Sequence, residues 1–190
     1  MASTGGGSGP SGRVRVATPE DSAGILKVYG PYVVGTRWTF ETEVPDADAF
    51  AERVRGVLRG YPWLVHEDGD GGAVLGYAYA SPAGERAAYA HSANVSVYVD
   101  MGRRGEGIGG GLYGELLRRL EGYEIYTLYA GIALPNDASV GFHKSFGFTE
   151  AGLFHKVGFK LGEWVDLLWM ERPIKDYSLK AGHAGGKPHE

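Results

Sequence analysis

Cysteine is absent from all 190 residues. That excludes disulfides, thiolate metal sites, a cysteine nucleophile and redox chemistry by the protein's own thiols, and it suits a reducing cytoplasm. Long apolar runs are missing too: no stretch approaches the roughly 18 to 20 residues that span a bilayer, and the N-terminus lacks the charged and apolar regions of a signal peptide. Nor is there a surplus of positive charge, since 19 Lys and Arg face 23 Asp and Glu for a net charge of −4. The basic residues are scattered rather than gathered into a run. Together these absences argue against membrane and nucleic acid as partners and for a cytoplasmic protein.

Glycine, by contrast, is abundant, at 32 residues, and 43% of the chain is hydrophobic. One domain of this size buries a core without staples. The Gly- and Ser-rich residues 1–12 and the polar residues 176–190 are expected to be flexible tails, leaving 13–175 as a single domain. Histidines stand singly, with no H-E-x-x-H or similar ligand spacing, so no metal is expected.

The pattern along the body predicts a strand at Arg13–Ala17 and a helix over Ser22–Val28, started by Thr18 as cap and Pro19 in the first turn. Phe50, Val54 and Leu58 recur every fourth residue, which predicts a second helix from Asp46. Trp63–His66 and Ala73–Ser81 flank the turn-forming EDGDGG and read as an antiparallel hairpin. NVSVYVD at 94–100 alternates as a strand does, and Ile108, Leu112, Leu116 and Leu120 mark a helix over 107–121. A strand at 125–133, a helix at 136–146 and two closing strands at 148–159 and 164–171 complete the pattern. Antiparallel runs around a strand–helix–strand–helix segment predict an α+β fold, a mixed and mostly antiparallel sheet flanked by helices.

Between strand 94–100 and helix 107–121 lies RRGEGIGGG, in which Gly105, Gly107 and Gly110 spell G-x-G-x-x-G. A dinucleotide fingerprint follows its strand at once and sits in the first strand–helix unit, and this one does neither. The G-K-[ST] of a P-loop is missing as well. What remains is R-x-x-G-x-G at Arg104, Gly107 and Gly109, opening a helix. Such a loop can aim backbone N–H groups at a pyrophosphate while the arginine adds charge, or it can serve backbone geometry alone.

On these residues the chain resembles the GCN5-related N-acetyltransferase (GNAT) superfamily, whose R/Q-x-x-G-x-G/A loop binds the pyrophosphate of acetyl-coenzyme A. NDASVGFHKSFGF at 136–148 is similar to its N-x-x-A-x-x-x-Y-x-x-x-G-F segment, with His143 in place of the tyrosine. YPWLV at 61–65, SVYV at 96–99, LPND-x-SV at 134–140 and G-F-K-x-G-x-W at 158–164 resemble the phosphinothricin and methionine sulfoximine acetyltransferase branch. The resemblance runs from residue 13 to about 173 and implies the acyl-CoA N-acyltransferase fold, acetyl-CoA as cosubstrate without a metal, a small-molecule amine as acceptor and a homodimer. It further implies coenzyme A contacts from the backbone of Val97, Tyr98 and Val99, from Arg104, Gly105, Gly107, Ile108, Gly109 and Gly110, and from Asn136 and Ser139.

The implied reaction is attack of a neutral amine on the thioester, so the ammonium must lose a proton and the departing thiolate must gain one. His143 is the candidate proton donor. Arg86 and Tyr89 match an R-x-x-Y segment that faces the amino-acid substrate in the family, and a guanidinium suits an α-carboxylate. Phe40 and Glu43, in T-F-E-T-E, are candidates for the substrate pocket; a core role for Phe40 and a capping role for Glu43 stand beside these. At the family's glutamate base the chain has Asn94, and an amide accepts no proton near neutrality. Three accounts follow: Asn94 positions a water that relays the proton, another group such as His91, Glu41 or Glu43 is the base, or the protein binds coenzyme A without catalysis. Acetylation of a peptide N-terminus or a polyamine is a further alternative; Arg86 argues for a free carboxylate and against the polyamine.

Overall fold

The computed structural model describes residues 12–69 and 72–177. Residues 1–11 and 178–190, most of both expected tails, lie outside them. Seven strands form one sheet in the order β1-β2-β3-β4-β5-β7-β6: β1 Arg13–Val16, β2 Trp63–Glu67, β3 Val74–Pro82, β4 Ser92–Val99, β5 Thr127–Ala133, β6 Thr149–Lys160 and β7 Glu163–Pro173. Four helices flank it: α1 Ser22–Gly35, α2 Ala47–Leu58, α3 Ile108–Leu120 and α4 Asp137–Ser145. The expected α+β architecture is present.

One face is aromatic. Trp63 pairs in register with Tyr79, and Tyr77 with Tyr98, so their rings stack at 4.2 Å and 5.3 Å, as directly opposed cross-strand residues do. Tyr29 of α1 and Phe50 of α2 cover this layer. The other face carries Leu64, Ala78, Ala80 and Val95 beneath the leucine stripe of α3. Gly76 lets that helix close in, since a Cβ there would lie 2.9 Å from Tyr98 O and 3.1 Å from Leu112 Cδ1.

Two local expectations need correction. Pro19–Asp21 is a separate 3-10 turn, and α1 continues beyond Val28 to Gly35 although Pro31 lies inside it. Pro31 and Lys27, the residue whose carbonyl loses its partner, are both exposed, so water meets that carbonyl while buried Tyr32 and Val33 hold the last turn on the sheet. In β6 the strand is interrupted at Phe154–Gly158; Lys156 has φ 49°, and its N–H donates to the Asp166 carboxylate at 2.7 Å. Near the C-terminus, Tyr177 stacks on Tyr126 and its hydroxyl meets that of Thr127 at 2.5 Å.

The feature that makes a site is the one parallel pairing among the described residues. β4 and β5 pair only through Ser92–Asn94 and Thr127–Tyr129, while β3 follows β4 to Val99 and β7 follows β5 to Ala133. Beyond Asn94 the sheet therefore splits, leaving one edge of β4 facing a cleft.

Candidate active site

The backbone facing that cleft follows from parity. Ala80 N–H donates to Pro62 O ahead of β2, and Asp100 N–H to Leu75 O at the start of β3. Asn94, Ser96 and Tyr98 therefore direct their peptide groups to β3; Val95 N–H is used by the Asn94–Tyr129 bridge to β5, and Val95 O with the peptide groups of Val97 and Val99 faces the cleft. Val97 and Val99 thus turn peptide groups to the cleft. Tyr98 lines the cleft too, but its backbone belongs to β3. The Tyr32 hydroxyl donates to Val99 O at 2.6 Å, so that carbonyl already has a partner.

A cavity of about 600 Å³ fills the split, lined by β4, the glycine loop, β5 and α4. Gly105 (φ 84°) and Gly107 (φ 85°) adopt a left-handed conformation that glycine alone takes cheaply. Gly107 caps α3 without a side chain, and the first helical bond runs from Gly111 N–H to Gly107 O. The N–H groups of Ile108, Gly109 and Gly110 thus lack helical partners at the positive end of the helix dipole. All three residues line the cavity. A Cβ on Gly109 would lie 3.3 Å from Val99 Cγ2, so that glycine serves the close packing of α3 on β4.

Arg104, Tyr32 and Trp38 form a cluster at the same mouth. The guanidinium lies 5.0 Å from the Trp38 ring and 5.4 Å from Tyr32, with Nη2 3.2 Å from the Tyr32 hydroxyl. Trp38 Nε1–H donates to Pro135 O at 3.0 Å, joining the loop after α1 to the loop before α4. Neither Tyr32 nor Trp38 stands out in the sequence, where T-F-E-T-E points only to Phe40 and Glu43.

Asn136 caps α4, its Oδ1 accepting from Ser139 N–H at 3.2 Å. His143 follows two turns on, and its Nδ1–H donates to Ser139 O at 2.8 Å. The ring lines the cavity, but Nε2 is buried without a hydrogen-bond partner among Tyr113, Phe142 and Phe148. Burial pulls the imidazole pKa below its usual value, against the opposing effect of the Ser139 hydrogen bond. A neutral ring whose proton sits on Nδ1 has none to give from Nε2. This geometry opposes the donor role expected of His143.

A second cavity of about 290 Å³ adjoins the first and shares Trp38, Val95, Ser96, Tyr98, Gly131 and Ala133 with it. It opens toward the α1 and α2 face, where Phe40, Tyr79, Leu167 and Trp169 form its remaining apolar wall. Phe40 sits there as expected. Its ring lies over Gly158, where a Cβ would come within 2.7 Å, which gives the glycine of G-F-K a steric reason. Asn94 lines this cavity, and its Nδ2–H donates to Pro82 O at 3.1 Å, leaving Oδ1 as its free acceptor.

Glu43, Arg86 and Tyr89 are exposed and are not among the residues lining either cavity. Arg86 and Tyr89 belong to a 3-10 turn between β3 and β4. The cap that Glu43 was weighed for is Asp46, whose carboxylate accepts from Ala49 N–H at 2.8 Å. Of the other candidate bases, His91 bonds Glu124 O and Glu41 pairs with Arg53 at 2.5 Å. Neither lines a cavity.

The split parallel pair offers free peptide groups to a strand-like ligand, with a glycine-capped helix at its mouth and a second chamber on the opposite face. The Acetyltransferase (GNAT) domain family matches residues 14–169, and the chain belongs to that family. A phosphinothricin N-acetyltransferase of Streptomyces coelicolor is 37% identical over 174 residues, covering 85% of this chain and 96% of that protein. An L-methionine sulfoximine/L-methionine sulfone acetyltransferase of Pseudomonas aeruginosa is 35% identical, covering 85% and 94%. The crystal structure of a GNAT superfamily phosphinothricin acetyltransferase from Sinorhizobium meliloti, in complex with AcCoA, has a TM-score of 0.85 at 32% identity, covering 92% and 95%.

Proposed function

We propose that this N-acetyltransferase transfers the acetyl group of acetyl-CoA to the α-amine of a small amino acid or analogue, of the phosphinothricin, methionine sulfoximine or methionine sulfone type. The observation that carries the reading is the junction of the two cavities at Val95, Ser96 and Gly131. Acyl donor and amine enter from opposite faces of the sheet and meet there.

The N–H groups of Ile108, Gly109 and Gly110 would hold the pyrophosphate, with Arg104 adding charge. The carbonyl of Val95 and the peptide groups of Val97 would pair with the pantetheine arm, and Asn136 and Ser139 would flank it. In the reaction a C–N bond forms, the C–S bond breaks, and the proton lost by the amine balances that gained by the thiolate. Asn94 cannot take that proton; its Oδ1 can accept a hydrogen bond from the amine or hold a water beside it. The substrate's own α-amine supplies the neutral form as pH rises toward its pKa, so no strong base is required. Arg86 and Tyr89, in the turn joining the strands that carry Ser81 and Asn94, are the candidates for the α-carboxylate, with Glu43 nearby in sequence to Phe40.

A homodimer is supported by the apolar β6–β7 hairpin at the sheet edge, where Val157, Phe159, Leu161 and Trp164 are each at least half exposed. The absence of cysteine supports a cytoplasmic site; among the described residues, no helix is long and apolar enough to cross a membrane. The test of the reading is thiol release from acetyl-CoA with phosphinothricin, methionine sulfoximine, methionine sulfone and spermidine as acceptors. Turnover with the amino acids but not spermidine is expected. Tight acetyl-CoA binding without turnover on any acceptor would favour a binding protein instead.

A further inference from the structure

Neither backbone nor packing requires Gly131 to be a glycine. It stands in the middle of β5 between buried Ala130 and Ile132, in a register with β7 that runs unbroken from Thr127 to Ala133, so it marks no bulge. Its φ lies outside the left-handed region. A Cβ there would meet Trp169 Cη2 and Cζ3 at 3.4 Å and Leu167 Cδ1 at 3.5 Å, which are ordinary contact distances. Alanine would therefore fit the fold, and a strand interior is better served by a residue with a side chain unless something approaches closely. What the glycine leaves is space.

That space lies where the sheet splits. Leu134 N–H donates to Asp166 O and Ile174 N–H to Tyr126 O, so Ala130 and Ile132 turn their peptide groups to β7, while Tyr129 and Gly131 turn theirs toward β4. Tyr129 sits opposite Asn94, the last pair made. One step on, Gly131 would face Ser96, and that pair is the first that the split removes. Both residues line both cavities. The passage from one cavity to the other runs between them, and a side chain at 131 would stand in it against Trp169 and Leu167, walls of the second cavity.

We infer that Gly131 sets the length of the acyl group this enzyme transfers, its missing side chain leaving room for a chain longer than acetyl. The inference rests on the acetyl-transfer reading, which brings the thioester to this passage from the first cavity. The step is the same for each chain: a C–N bond forms, the C–S bond breaks, and the proton lost by the amine balances that gained by the thiolate. A longer acyl chain extends through the passage toward Trp169, whereas the methyl group of alanine at 131 would occupy that room. One methylene in such a pocket changes discrimination about 10- to 200-fold.

The test compares acetyl-CoA and propionyl-CoA on the full chain, in binding by calorimetry and in thiol release with methionine sulfone. Wild type is expected to transfer propionyl within about tenfold of acetyl. Gly131→Ala is expected to keep acetyl-CoA binding and to lower the propionyl-to-acetyl ratio about tenfold or more, in affinity and in kcat/KM. Trp169→Phe, which shortens the ring that the Cβ would touch, is expected to raise the ratio alone and to restore it in the double variant. A merely structural role would weaken both thioesters alike. A ratio unchanged by Gly131→Ala, or a wild type that rejects propionyl as strongly as Gly131→Ala does, overturns the inference. A chain-length effect on binding with no turnover of either thioester overturns only the acetyl-transfer reading.

Discussion

Trp38 Nε1–H donates to Pro135 O at 3.0 Å while the Arg104 guanidinium lies 5.0 Å above the same indole, so one side chain ties together three loops at the mouth of the cleft. Trp38→Ala removes a hydrogen bond and a cation–π contact, together about 1–3 kcal/mol. Acetyl-CoA binding measured by calorimetry should weaken about 5- to 100-fold, with Trp38→Phe falling between. Unchanged affinity in Trp38→Ala would mean that the cluster does not shape the cleft.

The glycines of the loop are not equivalent. Gly107 has φ 85°, and alanine there should destabilise the fold by about 1 kcal/mol or more. At Gly111, exposed within α3, a Cβ meets nothing within 4 Å. Gly111→Ala should therefore stabilise by about 0.5–1 kcal/mol through helix propensity while leaving acetyl-CoA binding intact. Urea unfolding of both variants checks the contrast, and an identical response would contradict it.

His143 makes a separate prediction in the pH dependence of stability. Its folded pKa lies below the ordinary value of 6.5, chiefly because the ring is buried. Between the two values the unfolded chain binds the proton and the folded chain does not, so this group's contribution is complete above about pH 6.5 and declines as pH falls through the folded pKa. Thermal melts from pH 7.5 to 5 should show a falling Tm, and His143→Gln should flatten that segment even if its overall Tm is lower. An equal slope in the variant would show that another group is responsible.

How much of this was legible in the sequence depends on whether the signal was local. The glycine loop, the Asn136 cap and the leucine stripe of α3 announce themselves because their spacing is the physics: positive φ, an Asx cap and helical periodicity. Tyr32 and Trp38 were silent, since an aromatic residue at a helix end looks the same whether it packs in the core or holds Val99 O and Pro135 O. The helix past Pro31 was hidden because burial of Tyr32 and Val33 overrides a local breaker. The direction of the Tyr98 peptide was hidden, for which way a peptide group points depends on which neighbour pairs with it. The departure at Asn94 was visible as a substitution, but its tether to Pro82 O required the β3–β4 register.

That tether bears on the introduced carboxylate too. In Asn94→Glu one oxygen would face Pro82 O, a repulsion that raises the carboxyl's pKa and brings it closer to the working range of a base.

The most direct test is the pH profile of kcat/KM for thiol release with methionine sulfone, from pH 5.5 to 9.5, in the wild-type chain and Asn94→Glu. With no protein base, the wild-type value should rise about tenfold per pH unit and level off only near the amine's own pKa. Asn94→Glu should carry its plateau to lower pH, with at least a tenfold gain near pH 6.5. A wild-type profile already flat at pH 6.5 would contradict the account, because a group of the protein would then be taking the proton that Asn94 cannot.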